Sequence, residues 1–300
     1  MAFLWIATFG GVALREPHKI TLKSNDFFIP PRYNLVIMII DFHAHIYPEK
    51  IADKATAAVG TFYGDAPMAW HGRAQELIQS GSKIGVEKYI VHSVATKPEQ
   101  VESINNFIIS ACQKFPQFVG FATMHQDYEN FDAELERVHA AGLRGLKLHP
   151  DFQRFECDME KMDPVYDKCA KLNMPVLFHA GDERYDFSGP ARIRHVLEKH
   201  PDLIVIAAHF GGYTEWDNAM KYLVGQNVYF DTSSTLWKLP LEKANKMIKA
   251  HGYKKFLFGS DFPMWDHQDE LGRFNQLDLT EEERQAILYD NAAELLKKIN

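Results

Sequence analysis

Eight short apolar runs, separated by longer amphipathic stretches, divide the sequence from about residue 36 to its end. Each run is nearly continuously apolar, which is typical of parallel strands that are buried on both faces. The predicted strands are 36–42, 88–94, 118–122, 145–148, 176–178, 203–208, 228–231 and 256–258. Such an alternation predicts one sheet wrapped by helices, a fold of the α/β class.

The stretches between the runs repeat their apolar residues every three or four positions, which predicts amphipathic helices. The predicted helices are 49–59, 98–114, 131–141, 159–172, 190–199, 214–223, 241–250 and 280–298. Successive strands are about 25 to 30 residues apart, and eight such βα units close a barrel of about 250 residues. We therefore predict a (β/α)8 TIM barrel. An open doubly wound sheet is the alternative, but the glycine-rich phosphate turn expected after its first strand is missing.

The first 37 residues need a separate interpretation. Residues 1–14 are apolar, but no basic residue precedes them, and a membrane span would need about 20 apolar residues. A secretory signal and a membrane anchor therefore both fit poorly. Met38 directly precedes the strongest part of the first apolar run. We expect 1–37 to be an N-terminal extension outside the barrel and 38–300 to form the barrel domain.

Charge and cysteine content exclude several functional classes. The formal net charge is -7 and no basic block occurs, which argues against a nucleic-acid partner. The three cysteines, Cys112, Cys157 and Cys169, are widely spaced and contain no CxxC pair. This pattern indicates neither a disulfide framework nor a thiolate zinc site. We expect a cytoplasmic protein with no membrane contact.

Polar residues with catalytic potential cluster at the predicted strand ends. In TIM barrels the reacting groups lie at the carboxyl ends of the strands, so these positions converge on one mouth. Five of the eight ends carry an imidazole, an amine or a carboxylate. They are Asp41, His43 and His45 at the first strand, Lys147 and His149 at the fourth, His179 at the fifth, His209 at the sixth and Asp261 at the eighth.

His43 and His45 form the core of a predicted metal site. They are two residues apart, so on an extended segment both rings point to the same side and can bind one ion. A lone pair of this kind is weak support. His179 and Asp261 add a third nitrogen and a carboxylate oxygen from other strand ends. Such a set suits one divalent ion, with Zn²⁺ favoured and Mn²⁺ or Fe²⁺ as alternatives.

His209 and Asp261 are the predicted catalytic residues. His209 could simply cap its strand by donating to a backbone carbonyl, but its place between the fifth and eighth strands favours a hydrogen bond to the nucleophile. Asp261 could bind the metal through one oxygen and accept a proton from water with the other. Asp41 is expected to hold a metal ligand in place rather than to bind the ion.

Lys147 and His149 have less certain roles. A lysine at the fourth strand end can be a carbamylated bridge between two metals, a cation for a substrate carboxylate, or part of the barrel wall. We favour an unmodified lysine in one of the last two roles. His149 is either a wall residue of the pocket or a contact for substrate or a second metal.

These strand-end motifs resemble those of the amidohydrolase superfamily, in particular the branch that contains aminocarboxymuconate-semialdehyde decarboxylase and small metal-dependent hydrolases. The resemblance extends from about Met38 to Leu296. Its motifs are Ile40-Asp41-Phe42-His43-Ala44-His45, Gly145-Leu146-Lys147-Leu148-His149-Pro150, Pro175-Val176-Leu177-Phe178-His179-Ala180-Gly181, Ala208-His209-Phe210-Gly211-Gly212 and Leu257-Phe258-Gly259-Ser260-Asp261-Phe262-Pro263. The resemblance implies a mononuclear site with His43, His45, His179 and Asp261 as ligands, and with His209 activating or orienting water.

The motifs leave the reaction open. The chain is compact, which resembles the small hydrolases of this branch more than its decarboxylases, so the resemblance favours hydrolysis of an amide, ester or lactone by metal-activated water. The alternative is decarboxylation of an aromatic or muconate-type acid, with a cation such as Lys147 or Arg73 holding a second substrate group. A non-catalytic barrel that binds a small molecule is a third hypothesis. The partner is expected to be a small-molecule substrate, and a homodimer is an open alternative to a monomer.

Overall fold

The computed structural model describes residues 38–299, in which eight parallel strands form one sheet with neighbours in sequence order. The strands are β1 Ile39–His45, β2 Val86–His92, β3 Phe118–Thr123, β4 Gly145–Leu148, β5 Val176–Phe178, β6 Val205–Ala207, β7 Tyr229–Asp231 and β8 Phe256–Leu257. Every predicted strand has an observed counterpart. The predicted TIM-barrel class is confirmed by this topology and by similar solved structures.

The sheet closes between β1 and the segment that follows β8. Phe42 N donates to Phe258 O at 2.8 Å, and His45 N donates to Phe262 O at 2.7 Å. In the return direction, Asp261 N donates to His43 O at 2.8 Å. This backbone pairing fixes the first and last predicted metal-binding segments side by side.

Helices alternate with the strands around the barrel. They are α1 Ala52–Phe62, α2 Ala74–Ser82, α3 Val101–Lys114, α4 Phe131–Ala140, α5 Pro150–Gln153, α6 Asp163–Lys171, α7 Pro190–Lys199, α8 Trp216–Tyr222, α9 Leu241–His251, α10 His267–Phe274, α11 Glu281–Gln285 and α12 Asn291–Ile299, with a π-helical turn, Ala286–Asp290, joining the last two. The predicted helices are all present, with ends that differ by up to four residues.

Three helices, α2, α5 and α10, are additional to the prediction. The N-terminus of α2 is stabilised by Glu76, whose carboxylate accepts hydrogen bonds from the backbone N–H groups of His71 and Arg73. At α10, the Asp266 carboxylate accepts from Gln268 N at 2.8 Å. Local caps of this kind let short helices form inside the long connections.

Two strand boundaries were predicted wrongly in a way that affects the site. β1 continues to His45 and β2 ends at His92, whereas the predicted strands end at residues 42 and 94. The pairing of β1 with β2 places His45 directly beside His92. The ends of both strands therefore reach the mouth together.

The apolar core has two parts. Inside the barrel, side chains such as Ile40, Phe121 and Leu257 pack with the apolar face of α12, so this helix packs against the barrel interior. A larger cluster fills the space between the strands and the surrounding helices. Both parts consist of buried apolar side chains, and the close packing expected of such a core gives the strand ends a rigid base.

The predicted extension 1–37 lies outside the described residues. Within 38–299, no helix is both long enough and apolar enough to cross a membrane.

Candidate metal centre and active site

His43 is fixed in the chemical form that a metal ligand requires. Its ring is fully buried, and Nδ1–H donates to Oδ2 of Asp231 at 2.8 Å. Because an ionised carboxylate can only accept, the proton is on Nδ1 and the lone pair is on Nε2. Lys147 Nζ lies 3.1 Å from His43 Nε2, so the side-chain amine of Lys147 faces this lone pair. The carboxylate-imidazole pair is the usual support of a histidine ligand.

His45 and Asp261 direct donor atoms to the same point as His43. The Nε2 atoms of His43 and His45 are 3.3 Å apart, and Asp261 Oδ1 lies 3.4 Å from the first and 3.5 Å from the second. Two ligands about 2.0 to 2.1 Å from a tetrahedral ion are separated by about 3.3 to 3.4 Å. The spacing and chemistry of these three donors therefore fit one divalent ion.

Three residues at the mouth have a left-handed backbone conformation. φ is 59° at His209, 46° at Ser234 and 56° at Asp261. Non-glycine residues adopt this left-handed region at a cost, and such residues cluster at functional sites. Ser234 Oγ donates to Oδ2 of Asp261 at 2.5 Å, which leaves Oδ1 directed at the histidines.

His179 lies on the other side of the site, next to His209. His209 Nε2 is 3.0 Å from His179 Nδ1, while the His209 ring centroid is 5.1 Å from that of His43. His209 Nδ1–H donates to the carbonyl of Ser233 at 3.0 Å, so its Nε2 carries a lone pair. His43, His45 and Asp261 therefore converge on one point, whereas His179 contacts His209 and belongs to a separate group with His149 and Asp151, whose donor atoms lie within 4.8 Å of one another.

Asp231, at the end of β7, connects the two halves of this arrangement. One carboxylate oxygen binds His43, and the other accepts from His209 N at 3.1 Å and from Ser233 Oγ at 2.5 Å. The residue is fully buried. A single carboxylate therefore sets the ring orientation of His43 and the backbone position of His209.

Asp41 organises the backbone behind the ligands. Its Oδ1 accepts from His43 N at 3.0 Å and from Ser260 N at 2.9 Å. Its Oδ2 accepts from His267 Nε2 at 2.9 Å. These bonds tie the ends of β1 and β8 together beneath Asp261.

Lys147 is completely buried and faces the donor atoms rather than the helices. Burial lowers its pKa to about 8, while the carboxylates of Asp231 and Asp261 oppose the shift. This position fits the predicted contact with substrate.

His149 lies beside His179 and Tyr63 at the mouth. Its ring stacks on His179 with centroids 3.8 Å apart. Phe152 N donates to Nδ1 at 3.1 Å, so the Nε2–H is left to donate to the hydroxyl of Tyr63 at 3.0 Å. Both ring nitrogens are therefore engaged by protein groups.

Burial keeps the site imidazoles neutral. It lowers the pKa of His43, His45 and His179 well below the ordinary value, and that of His209 to about 4. The neutral ring is the form that binds a metal. Burial also raises the pKa of Asp261, to about 7.

Tyr63 covers one side of the mouth and is held there by Arg184. The Arg184 guanidinium lies 4.7 Å from the ring of Phe62 and 5.1 Å from the ring of Tyr63, and it donates to the carbonyl of Phe62. Asp182 anchors the same guanidinium at 2.6 and 2.9 Å. We name Phe62, Tyr63 and Arg184 the cover.

Arg73, proposed from sequence as a substrate cation in a decarboxylase, is engaged elsewhere. Its guanidinium bonds Glu49 at 2.7 Å, Asp53 at 2.9 Å and Glu76 at 3.3 Å. Glu76 is only three residues away, whereas Glu49 and Asp53 lie on a separate segment, so the pairs with these last two could not be seen in the sequence.

Sequence reasoning missed Asp231, His92 and Tyr63. Asp231 was included in a predicted strand but not considered as its polar end, although the rule applied to the other strands would have found it. His92 was hidden because the second strand was predicted to continue to residue 94. Tyr63 lies in the long connection after β1, and only the fold shows that it reaches His149.

Solved structures with the same fold include several enzymes. A dihydroxybenzoic acid decarboxylase from a Polaromonas species, with bound manganese and 2-nitroresorcinol, is 18% identical with a TM-score of 0.67, covering 86% of this chain and 96% of that one. A 5-carboxyvanillate decarboxylase from Sphingomonas paucimobilis is 13% identical with a TM-score of 0.66, covering 87% and 99%. A Pseudomonas putida protein provisionally assigned as a 2-pyrone-4,6-dicarboxylic acid hydrolase is 19% identical with a TM-score of 0.62, covering 87% and 98%.

No curated protein sequence is detectably similar to this chain. The family model described as Amidohydrolase matches residues 40–298, which is nearly the whole described structure. The family predicted from the strand-end motifs is confirmed: the chain belongs to the amidohydrolase family.

Proposed function

We propose that this enzyme is a metal-dependent hydrolase that cleaves an amide, ester or lactone of a small molecule. The observation that carries the proposal is the convergence of His43 Nε2, His45 Nε2 and Asp261 Oδ1 within 3.5 Å of one another. His179 is the fourth proposed ligand. A divalent ion held there would lower the pKa of water and polarise a carbonyl oxygen. Zn²⁺ suits the nitrogen-rich set best, with Mn²⁺ or Fe²⁺ as alternatives.

Asp261 is the proposed acid-base group. Its two oxygens have different surroundings, because Oδ1 faces the imidazoles and Oδ2 accepts from Ser234. A carboxylate in this position can take a proton from the attacking water and deliver it to the leaving nitrogen or oxygen.

His209 and Lys147 are proposed to orient the reactants. Because Nδ1–H is fixed on Ser233 O, His209 Nε2 carries a lone pair, which lies 3.0 Å from His179 Nδ1 and can accept a hydrogen bond from water once that contact is given up. The Lys147 ammonium can bind an anionic oxygen of the substrate, and the fully buried setting strengthens that interaction.

Decarboxylation of an aromatic acid is the second candidate. Two of the structures with this fold are named as decarboxylases of aromatic acids. The mouth also carries aromatic side chains, with Tyr63 lying 5.5 Å from Tyr213 and 4.9 Å from Phe62. In this reaction Lys147 would hold a second oxygen of the substrate while carbon dioxide leaves.

One assay separates the two reactions. The protein is loaded with Zn²⁺ or Mn²⁺ and given separate panels of amides, esters, lactones and hydroxybenzoates. Hydrolysis would release acid without carbon dioxide, and water labelled with ¹⁸O would enter the product. Release of labelled carbon dioxide from a carboxylate-labelled hydroxybenzoate would instead establish the decarboxylase. Loss of turnover in His209→Asn is the matched control.

The hydrolase proposal fails if activity survives when His179 and Asp261 are both replaced. Binding of a small molecule without turnover by the metal-loaded protein would favour the non-catalytic barrel. We further propose a cytoplasmic enzyme, and sedimentation would decide between a monomer and a homodimer.

A further inference from the structure

His92 places a third imidazole beside His43 and His45. It is the last residue of β2, is fully buried, and pairs with His45 across the sheet. Its ring centroid lies 4.4 Å from that of His45 and 5.0 Å from that of His43, with the rings nearly perpendicular in the first case. One nitrogen of each of the three rings lies within 4.8 Å of the other two.

Neither nitrogen of His92 has a hydrogen-bond partner within residues 38–299. A neutral imidazole carries one N–H and one lone pair, and leaving both unpaired in a buried place is costly. Buried polar atoms without partners in a native fold call for a specific explanation, such as a bound ion or water.

His251 shows how this fold treats a histidine used only for packing. Its ring stacks on Phe230 with centroids 4.2 Å apart. Both nitrogens are bonded, because Gly225 N donates to Nδ1 at 3.0 Å and Nε2–H donates to Val228 O at 2.9 Å. His92 is at least as buried as His251, but neither of its nitrogens is hydrogen-bonded. A role in packing alone therefore does not explain why a histidine stands at this position.

We propose that His92 is a further ligand of the metal centre, binding the same divalent ion as His43 and His45. The inference rests on the metal centre of the proposed function. Only the lone pair of one ring nitrogen is used, so the imidazole stays neutral and no proton is transferred. With His179 as the fourth proposed ligand, the ion would then be held from the ends of β1, β2, β5 and β8.

The test compares His92→Phe with wild type and with His125→Asn. Phenylalanine keeps the ring volume but has no lone pair. His125 is a buried histidine near the end of β3 whose Nδ1 accepts from Asp127 N at 3.2 Å, and it belongs to none of the histidine clusters at the mouth. Zn²⁺ affinity is measured by competition with a chelator, and the Co²⁺-substituted proteins are compared by visible absorption. We expect at least a tenfold loss of affinity and an altered Co²⁺ spectrum for His92→Phe alone.

A second variant separates ligation from folding. His92→Gly leaves a space in which added imidazole should restore the wild-type Co²⁺ spectrum, whereas benzene-sized molecules without a lone pair should not. If wild type binds one ion and His92→Phe binds it equally with an unchanged spectrum, the role of His92 is overturned and the metal centre stands. If wild type binds no ion, the proposed function fails as well. If His92→Phe does not fold, the same measurements are made on His92→Asn.

Discussion

Two sides of the barrel mouth use the same residue types in opposite ways. On the β1–β8 side, the metal side, Nε2 of His43, Nε2 of His45 and Oδ1 of Asp261 converge within 3.5 Å of one another, and Lys147 Nζ lies 3.1 Å from the first. On the β4–β5 side, His149 has both nitrogens engaged and Tyr63 is held by Arg184. The difference shows that histidine content alone does not define a metal site. What defines it is whether the ring nitrogens converge on one point with a carboxylate, as those of His43 and His45 do, or are bonded to separate protein groups, as those of His149 are.

Of the substitutions on the metal side, Asp261→Asn should cause the largest loss of activity. The amide keeps the size of the side chain but loses the negative charge and the ability to take a proton, so kcat/KM should fall at least about 10³-fold. Steady-state assays on the metal-loaded proteins give the measurement. Asp266→Asn, which alters the cap of α10 and the contacts of that carboxylate with Trp70, Ser80 and Lys83, is the control. Equal loss in both variants would contradict a catalytic role for Asp261.

Removal of the metal should lower the Tm only when the ligands of the metal side are intact. An ion present at about 100 times its dissociation constant stabilises the folded state by about 2.7 kcal/mol, which corresponds to roughly 5 to 10 °C in Tm for a domain of this size. Scanning calorimetry before and after chelation measures the shift, and adding Zn²⁺ back should reverse it. A His43→Asn variant should show no shift. An unchanged Tm of wild type after complete chelation would be inconsistent with the proposed centre.

Asp231→Asn should weaken the metal side without removing a ligand. The amide can no longer hold the proton on His43 Nδ1 as strongly, so metal affinity should fall about 10- to 100-fold. Chelator competition measures the change. Asp182→Asn, which alters only the support of Arg184 on the opposite side, should leave metal affinity unchanged. A wild-type affinity for Asp231→Asn would show that His43 needs no carboxylate support.

Tyr63→Phe should have the smallest effect of these substitutions, and that effect should be confined to the cover. The change removes one hydroxyl, which accepts from His149 Nε2–H, and retains the ring. We expect KM to rise less than tenfold, with metal affinity unchanged. Kinetics and chelator competition on the same preparation separate the two quantities. A large loss of metal affinity would mean that the two sides of the mouth are not independent.

The fold, and the strand ends that carry His43, His45 and Asp261, could be predicted from the sequence, because period and motif are local properties. Apolar runs and strand-end polar residues identify His43, His45 and Asp261 before any geometry is known. The partners of these groups are not local. Asp231 reaches His43 across 188 positions of the chain, and the role of Tyr63 depends on α1 continuing to Phe62 through Gly60 and Thr61. Glycine and threonine are poor helix formers, so tertiary contacts decide that boundary.

The wrongly predicted end of β2 had a larger consequence for the predicted site than the end of α1. Ending the strand at His92 instead of residue 94 places that imidazole at the mouth, next to His45. Strand ends depend on which backbone groups find partners in the neighbouring strands, and the register of β1 with β2 cannot be obtained from either segment alone. The contacts of His179 and Lys147 are non-local as well, because His179 Nδ1 meets His209 across 30 positions of the chain and Lys147 Nζ meets His43 across 104.

The most direct test of the account is the metal content of the protein itself. Wild type and the His43→Asn, His45→Asn double variant are expressed with ample Zn²⁺ and Mn²⁺, purified without chelator and examined by elemental analysis. We predict about one divalent ion per chain in wild type and almost none in the double variant, with both proteins folded by circular dichroism. Wild-type protein without bound metal, or a double variant that retains a full equivalent, would contradict the assignment of His43 and His45 as ligands.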